Sequence, residues 1–293
     1  MKKNTKSILI LVTLILVLGC FLINADLIIT NIINYTNNFI LKLYPVSFIT
    51  YLLVYMIIEY GFIQFMNRYL RINSCGLFLF ILSLISGFPS GSKYIRLLYD
   101  KRIIDGEYAN KLLYFTHFPN ILFILGTVKK IINNNIYTYY LLFSIIISNF
   151  ILMLFTKKKK ISIDLNYTCS SFSKILGNGI IYATKTIVLI YGTSLFFYLI
   201  SSILFRDVVD NLYLYVFLNG LFDLTNGIIT CSLINNCFIR CIFILIFLSF
   251  GSISVHMQVK EILSDDINYL SFFKGRIIGT FLAIFIFCIL FFH

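Results

Sequence analysis

Long apolar stretches separated by short polar ones run along almost the whole chain. Nine such stretches can be read, at residues 7–23, 43–66, 77–88, 112–128, 137–155, 180–204, 212–229, 238–255 and 277–292. The hydrocarbon core of a bilayer takes about 20 apolar residues per helix, and most of these stretches approach that length. The pattern predicts an all-α polytopic membrane protein with about 6–9 membrane segments.

One stretch, 77–88, is too short to cross a membrane and runs directly into Ser86-Gly87-Phe88-Pro89-Ser90-Gly91-Ser92. Two glycines and a proline break a helix there. Non-helical backbone is tolerated at membrane depth only where protein buries it or where it lines a cavity. We therefore expect a re-entrant or interrupted helix. Similar breaks are expected at 249–254 and at His117-Phe118-Pro119-Asn120.

The composition leaves no room for a sizeable soluble domain. Hydrophobic residues make up 59% of the chain and charged residues 12%, against about 45–50% and 25% in globular proteins. Lys and Arg number 24 against 12 Asp and Glu, for a net charge of +12. Much of this charge lies between apolar stretches, so it indicates membrane topology. The expected partner is the lipid bilayer, and no nucleic acid is expected.

The distribution of Lys and Arg places the amino terminus and the basic run 157–160 in the cytoplasm of a plasma-membrane protein. Residues 1–23 resemble a signal peptide, but apolar sequence continues past Cys20 and favours an uncleaved first span. The predicted organisation is an N-terminal transmembrane helix at 1–38, a membrane half at 39–156, a basic cytoplasmic linker at 157–180 and a second membrane half at 181–293.

The two halves share a plan at an offset of about 163 residues. Ser86 and Ser249 differ by 163, and Lys93 and His256 by the same number. Glu59 and Asp223 differ by 164. The offset predicts two repeats, and we expect them to be inverted, as in many secondary transporters.

Two carboxylates lie within apolar sequence, where a charge is costly and normally faces a partner or a cavity. Asp223 lies between Gly220 and Gly227, beside Thr225 and Asn226, and we favour a role in binding. Glu59 is more isolated, and a neighbouring Ser, Tyr or Lys could equally satisfy it.

Helix breaks leave backbone N–H groups unpaired, and these groups bind anionic or carbonyl-bearing solutes. His256 and Gln258 add side chains suited to hydrogen-bonding a base or a sugar. The alternative is that the small residues only allow tight helix packing. The candidate substrate-binding residues are Ser86, Gly87, Pro89, Ser90, Gly91, Lys93, Asn120, Asp223, Thr225, Asn226, Ser249, Gly251, Ser254, His256 and Gln258, with Glu59 as a second carboxylate.

No catalytic motif of the G-x-S-x-G, H-E-x-x-H or P-loop type is present. The seven cysteines contain no C-x-x-C pair, and the three histidines are widely separated. We therefore expect no enzyme activity, no metal and no cofactor.

The segment from Leu84 to Lys93, followed by 98–128, resembles the YlbJ-type sporulation integral membrane proteins, which carry the nucleoside-recognition gate domain. Segments 220–227 and 249–259 resemble that family's second pair of motifs. The chain departs from the family pattern at Ser92, Asp223, Ser252 and the reversed pair Pro119-Asn120. The resemblance implies a role in spore cortex formation and kinship with nucleoside transporters and the gate region of ferrous-iron permeases.

Together these features predict a membrane protein that moves or senses a small polar solute, such as a nucleoside, between two gate-like halves. Two alternatives stay open. A scaffold subunit for cortex-building enzymes would place its distinctive surface on cytoplasmic loops. A membrane-embedded enzyme acting on a lipid-linked precursor would need a nucleophile with a base in reach.

Overall fold

A computed structural model describes residues 2–63, 65, 75–156, 170–205 and 208–293, with side chains throughout that part except at residues 2–6 and 42. These residues form helices, and no strand occurs among them. The prediction of an all-α fold is confirmed. The basic run 157–160 and the first part of the predicted linker lie outside the described residues. The rest of that linker includes the start of a long helix, which begins at Phe172.

Fifteen α-helices are defined within the described residues: α1 (Lys2–Ile23), α2 (Ala25–Asn38), α3 (Tyr44–Glu59), α4 (Cys75–Ser86), α5 (Ser90–Asp100), α6 (Gly106–Leu112), α7 (Ile121–Phe123), α8 (Lys129–Ile132), α9 (Asn135–Phe155), α10 (Phe172–Leu204), α11 (Leu212–Phe222), α12 (Leu224–Thr230), α13 (Cys237–Phe250), α14 (Ile253–Ile262) and α15 (Tyr269–Phe292). Two π-helical segments, Phe39–Leu43 and Ile124–Val128, join α2 to α3 and α7 to α8, and a 3-10 turn, Cys231–Leu233, follows α12.

Four of these units are long and apolar enough to cross a membrane: α9, α10, the pair α13–α14 and α15. Helices α1 and α2 pass the same test together but meet at an angle of 92°, so the predicted span at 1–38 is two helices. The outer surface is apolar, as a lipid-facing surface must be. On α15, for example, Phe281 is 71% exposed and Phe285 is 65% exposed. The chain is therefore built as a multi-pass membrane protein.

Polar contacts define two ends of the molecule. At the first end, the Tyr99 hydroxyl donates to Asp266 at 3.0 Å, and the backbone N–H of Asn268 donates to the Asn110 side chain at 2.7 Å. At the second end, Arg240 donates to the Ile131 carbonyl at 3.1 Å. We call these the Tyr99 end and the Arg240 end. Helices α9 and α15 connect them in opposite directions and pack along each other.

The chain breaks at the expected positions, but the breaks differ in kind. Helix α4 ends at Ser86 and α5 folds back against it from Ser90, forming a hairpin. Helix α13 ends at Phe250 and α14 continues from Ile253 in the same span. A further hairpin, α11–α12, turns at Asp223. Residues 113–120 form the break between α6 and α7.

Candidate functional site

A cavity with about 690 Å³ of unfilled space, part of it open to the outside of the protein, lies where the hairpin turns and the broken spans meet. Its wall includes residues from both hairpins and from both in-line breaks. The lining residues are Tyr35, Phe39, Leu43, Ser47, Tyr51, Ser86, Phe88, Pro119, Asn120, Phe123, Ile187, Ile190, Ser194, Leu224, Thr225, Val255 and Gln258. Four of the candidates from the sequence therefore face one space: Ser86, Asn120, Thr225 and Gln258.

The turn of the α4–α5 hairpin packs tightly against the 113–120 break. Gly87 has φ +74°, a conformation that glycine adopts without strain. A side chain there would bring Cβ to 2.7 Å from the backbone nitrogen of Asn120, and a side chain at Gly91 would overlap the Thr116 carbonyl. These two glycines are required so that Asn120 can reach the cavity beside Ser86.

The serines at this turn mostly satisfy backbone carbonyls that the break leaves without helical partners. Ser86 Oγ donates to the Leu82 carbonyl at 2.7 Å, and Ser92 Oγ donates to the Pro89 carbonyl at 2.7 Å. Ser90 Oγ donates to the Gly87 carbonyl. The structural explanation for these small residues therefore holds at Ser90 and Ser92, whereas Ser86 also lines the cavity.

The turn of the α11–α12 hairpin carries the buried carboxylate. Asp223 is 0% exposed, and its carboxylate caps α12 by accepting the Asn226 backbone N–H at 2.9 Å. Ser254 Oγ, from α14, lies 3.5 Å from the other carboxylate oxygen. The Asn226 amide donates to Asn219 Oδ1 at 2.7 Å. The Gly220 and Gly227 bracket has a packing role, because a side chain at Gly227 would overlap the Gly220 Cα.

The 113–120 break and the α13–α14 break are joined by a buried cation that the sequence analysis did not single out. Arg276 on α15 is 3% exposed. Its guanidinium donates to the carbonyls of Tyr114 at 2.8 Å and His117 at 3.0 Å and to the Asn149 side chain at 2.9 Å, and it lies 3.4 Å from the Ser249 carbonyl. Five donors in a planar fork allow one side chain to satisfy several freed carbonyls.

The N-terminal wall of the cavity is also absent from the sequence prediction. Tyr35, Phe39, Leu43, Ser47 and Tyr51 recur at intervals of four and line the cavity from α2 through α3. The π-helical segment lies just before Pro45, which lacks an amide hydrogen and whose ring would clash with the carbonyl four residues earlier. Such segments are frequent at functional sites. The second π-helical segment follows Asn120 and Phe123, which line the same cavity.

Three polar candidates lie away from the cavity. The Lys93 ammonium donates to the Tyr182 carbonyl at 3.1 Å and lies 4.1 Å from that ring's centroid. His256 Nε2 donates to the Phe250 carbonyl at 3.1 Å, which leaves Nδ1 to accept from the Tyr269 hydroxyl at 2.6 Å. Glu59 forms an ion pair with Lys101 at 2.7 Å. The structure thus places these side chains in interhelical contacts.

The remaining candidates hold the breaks in shape. Ser249 contributes its carbonyl to Arg276, Gly251 adopts φ +89°, and Pro89 contributes its carbonyl to Ser92. Among the described residues, no three His, Cys, Asp or Glu side chains come together as metal ligands would.

Comparisons of the chain with protein-family models, with curated proteins and with solved structures gave no match. What the fold and the site define is a class: an all-α multi-pass membrane protein with helix breaks around a central cavity. The resemblance to YlbJ-type proteins stays a prediction from sequence motifs.

Proposed function

We propose that this protein binds a small neutral polar solute, such as a nucleoside, in the central cavity and moves it across the plasma membrane. The observation that supports this most is the convergence of four separate helix breaks on one cavity. Broken helices near the middle of a membrane are costly, and in secondary transporters they form the substrate site. A role in spore cortex formation is part of the proposal on the strength of the motif resemblance alone.

A structural repeat at an offset of 134 residues supports two transporter-like halves. Helices α5 and α12 begin at residues 90 and 224, and α9 and α15 begin at residues 135 and 269, so both pairs differ by 134. The side chains of Asn134 and Asn268, again 134 apart, each cap the helix that follows. This offset pairs the hairpin α4–α5 with the hairpin α11–α12, and the broken span α6–α8 with α13–α14.

The offset of 163 expected from the sequence pairs unlike elements, because it sets the α4–α5 hairpin against the in-line pair α13–α14. We therefore replace it with 134. The paired helices α9 and α15 run in opposite directions between the Tyr99 end and the Arg240 end, which supports an inverted repeat. Counting α1, α2–α3, α6–α8, α9, α10, α13–α14 and α15 as crossings gives seven, and the two hairpins bring the membrane segments to nine.

The cavity wall supports a neutral solute with a flat apolar face. Five aromatic rings line it: Tyr35, Phe39, Tyr51, Phe88 and Phe123. Six further side chains offer hydroxyl or amide groups: Ser47, Ser86, Asn120, Ser194, Thr225 and Gln258. No Lys, Arg, Asp or Glu from the described residues is among the lining residues. An apolar wall with a few polar groups is typical of small-molecule sites, and a charged solute would lack a counter-charge there.

The orientation proposed from the sequence is compatible with these contacts. Lys101 and Lys111 lie near the Tyr99 end, and Lys129 and Lys130 lie near the Arg240 end. We place the Tyr99 end in the cytoplasm, together with the amino terminus, because most Lys and Arg residues between apolar stretches belong to that side.

Binding of tritiated uridine to purified protein tests the proposal. Thr225→Val removes one cavity hydroxyl while keeping the shape of the side chain. Loss of one hydrogen bond to a neutral ligand is worth about 0.5–1.5 kcal/mol, so the dissociation constant should rise about three- to tenfold. Thr193→Val is the matched control, because Thr193 lies on α10 outside the lining set and donates to the Leu189 carbonyl.

A different result would favour the scaffold alternative. If uridine and other neutral nucleosides fail to bind, or if Thr225→Val and Thr193→Val weaken binding equally, the cavity is not the solute site. A scaffold would then be expected to tolerate both substitutions in a sporulation complementation assay.

A further inference from the structure

The Asp223 carboxylate is the feature that the proposed solute site does not yet use. It lies at the turn of the α11–α12 hairpin with no exposed surface, and it contacts the Asn226 backbone N–H and the Ser254 hydroxyl. An ionised carboxylate at membrane depth is expensive unless a cation neutralises it.

No cationic side chain among the described residues pairs with Asp223. The ionisable side chains on the elements packed around the turn are Tyr35 on α2, Lys174, Tyr182, Lys185, Tyr191 and Tyr198 on α10, Tyr213 and Tyr215 on α11, and His256, Lys260 and Glu261 on α14. Tyr35 and Tyr198 interact with the carboxylate. The four lysines are exposed or bound elsewhere, and the His256 ring is held by Tyr269 and Phe250. The described ion pairs all involve other carboxylates.

A short polar chain joins this carboxylate to the cavity. Ser194 on α10 interacts with Asp223 through its hydroxyl and accepts the Gln258 amide N–H at 3.1 Å. Ser194 and Gln258 both line the cavity, and so does Thr225, two residues along the chain from Asp223. A change at the carboxylate can therefore alter the hydrogen bonds that the cavity offers.

We propose that Asp223 is a proton-binding site coupled to the solute in the cavity, an inference that rests on the proposed function. A proton from water forms an O–H bond on one carboxylate oxygen, and no other bond breaks. When the carboxylate is ionised, the Ser194 hydroxyl donates to it. When it is protonated, the acid donates to Ser194 Oγ, and the Ser194 hydrogen is free to turn toward a carbonyl or hydroxyl of the solute.

This reversal of one hydrogen bond sets the sign of the coupling. Proton binding at Asp223 strengthens solute binding, and by linkage the bound solute strengthens proton binding to the same degree. The solute and the proton should therefore travel in the same direction. Uridine affinity should rise as the pH falls through the range in which Asp223 becomes protonated.

Infrared difference spectra of the purified protein without solute test the proton site itself. The wild type should gain the carbonyl band of a buried carboxylic acid on acidification. Asp223→Asn should lack this band, and Asp223→Glu should keep it at a shifted position. Asp26→Asn is the matched control, because Asp26 is exposed on α2 and its loss should leave the band unchanged. A band that persists in Asp223→Asn, or its absence from the wild type, would overturn the proposal.

Uridine uptake into proteoliposomes tests the coupling. An inward-directed proton gradient should raise initial uptake by the wild type about five- to tenfold, within the usual range of coupling energies. Asp223→Asn should lose this response. Uptake that ignores the gradient, or that follows a sodium gradient, would overturn the coupling. Failure of uptake at every pH would overturn transport and coupling together, and the infrared band would still decide the proton site.

Protein abundance separates a coupling role from a purely structural one. Asp223→Asn keeps the shape and should give near-normal amounts of monodisperse protein. If it does not, Asp223→Glu carries the same test, because it keeps the titratable group. A wild-type pH response in a well-folded Asp223→Asn protein would contradict the assignment.

Discussion

Replacement of Arg276 by methionine should destabilise the protein by about 2–5 kcal/mol. The guanidinium makes three hydrogen bonds of 3.0 Å or less, to Tyr114, His117 and Asn149. Hydrogen bonds between membrane helices average about 0.6 kcal/mol, with a maximum near 1.7, and three of them give that range. Burial of a cation without a carboxylate partner opposes the gain, so the lower end of the range is expected.

The free energy of unfolding can be measured on purified protein in mixed micelles of rising dodecyl sulfate content. Arg276→Lys should fall between wild type and Arg276→Met, because a single ammonium cannot reach the carbonyls that the planar fork spans. Lys274→Met is the matched control: Lys274 is exposed on the same helix, and its loss should change stability by no more than about 0.5 kcal/mol. An Arg276→Met protein as stable as wild type would refute the view that this cation holds the two breaks together.

Two further predictions follow from the packing and from the two ends of the molecule. Gly91→Ala should lower stability by about 1–3 kcal/mol or deplete the protein, because its Cβ would overlap the Thr116 carbonyl, whereas Gly177→Ala meets nothing within 4 Å and should be tolerated when both are measured in the same micelle assay. In a cysteine-free background, an impermeant thiol reagent applied to intact cells should modify Asn134→Cys and leave Asp265→Cys unmodified, and the reverse pattern would overturn the proposed orientation.

The helix breaks could be predicted from the sequence because glycine and proline mark them directly. Gly87, Pro89 and Gly251 each occupy a position where a regular helix cannot continue, and the structure breaks the helices at those places. Asp223 was identifiable for a different reason, since a carboxylate within apolar sequence needs a partner or a cavity.

Other parts of the site could not be predicted because their signals are tertiary. Residues 24–42 are rich in asparagine and carry little apolar signal, yet one face of α2 packs on α10 and its Tyr35 lines the cavity. Arg276 gives no local sign that it will meet carbonyls from two distant breaks. The repeat offset was misassigned because similar breaks occur in a hairpin and in a crossing span, and the sequence does not show whether the chain folds back.

The two hairpins occupy matching positions but differ in chemistry, and this difference bears on mechanism. At the α4–α5 turn, serine hydroxyls and the Tyr51 hydroxyl, 3.3 Å from the Phe88 carbonyl, satisfy the freed backbone without any charge. At the α11–α12 turn, the Asp223 carboxylate does so, and its hydrogen bonds change with protonation. An inverted repeat makes two conformations similar in backbone energy. A titratable group in only one of the two hairpins would let a proton favour one conformation over the other, so the chemical asymmetry supplies the directional bias that the symmetric backbone lacks.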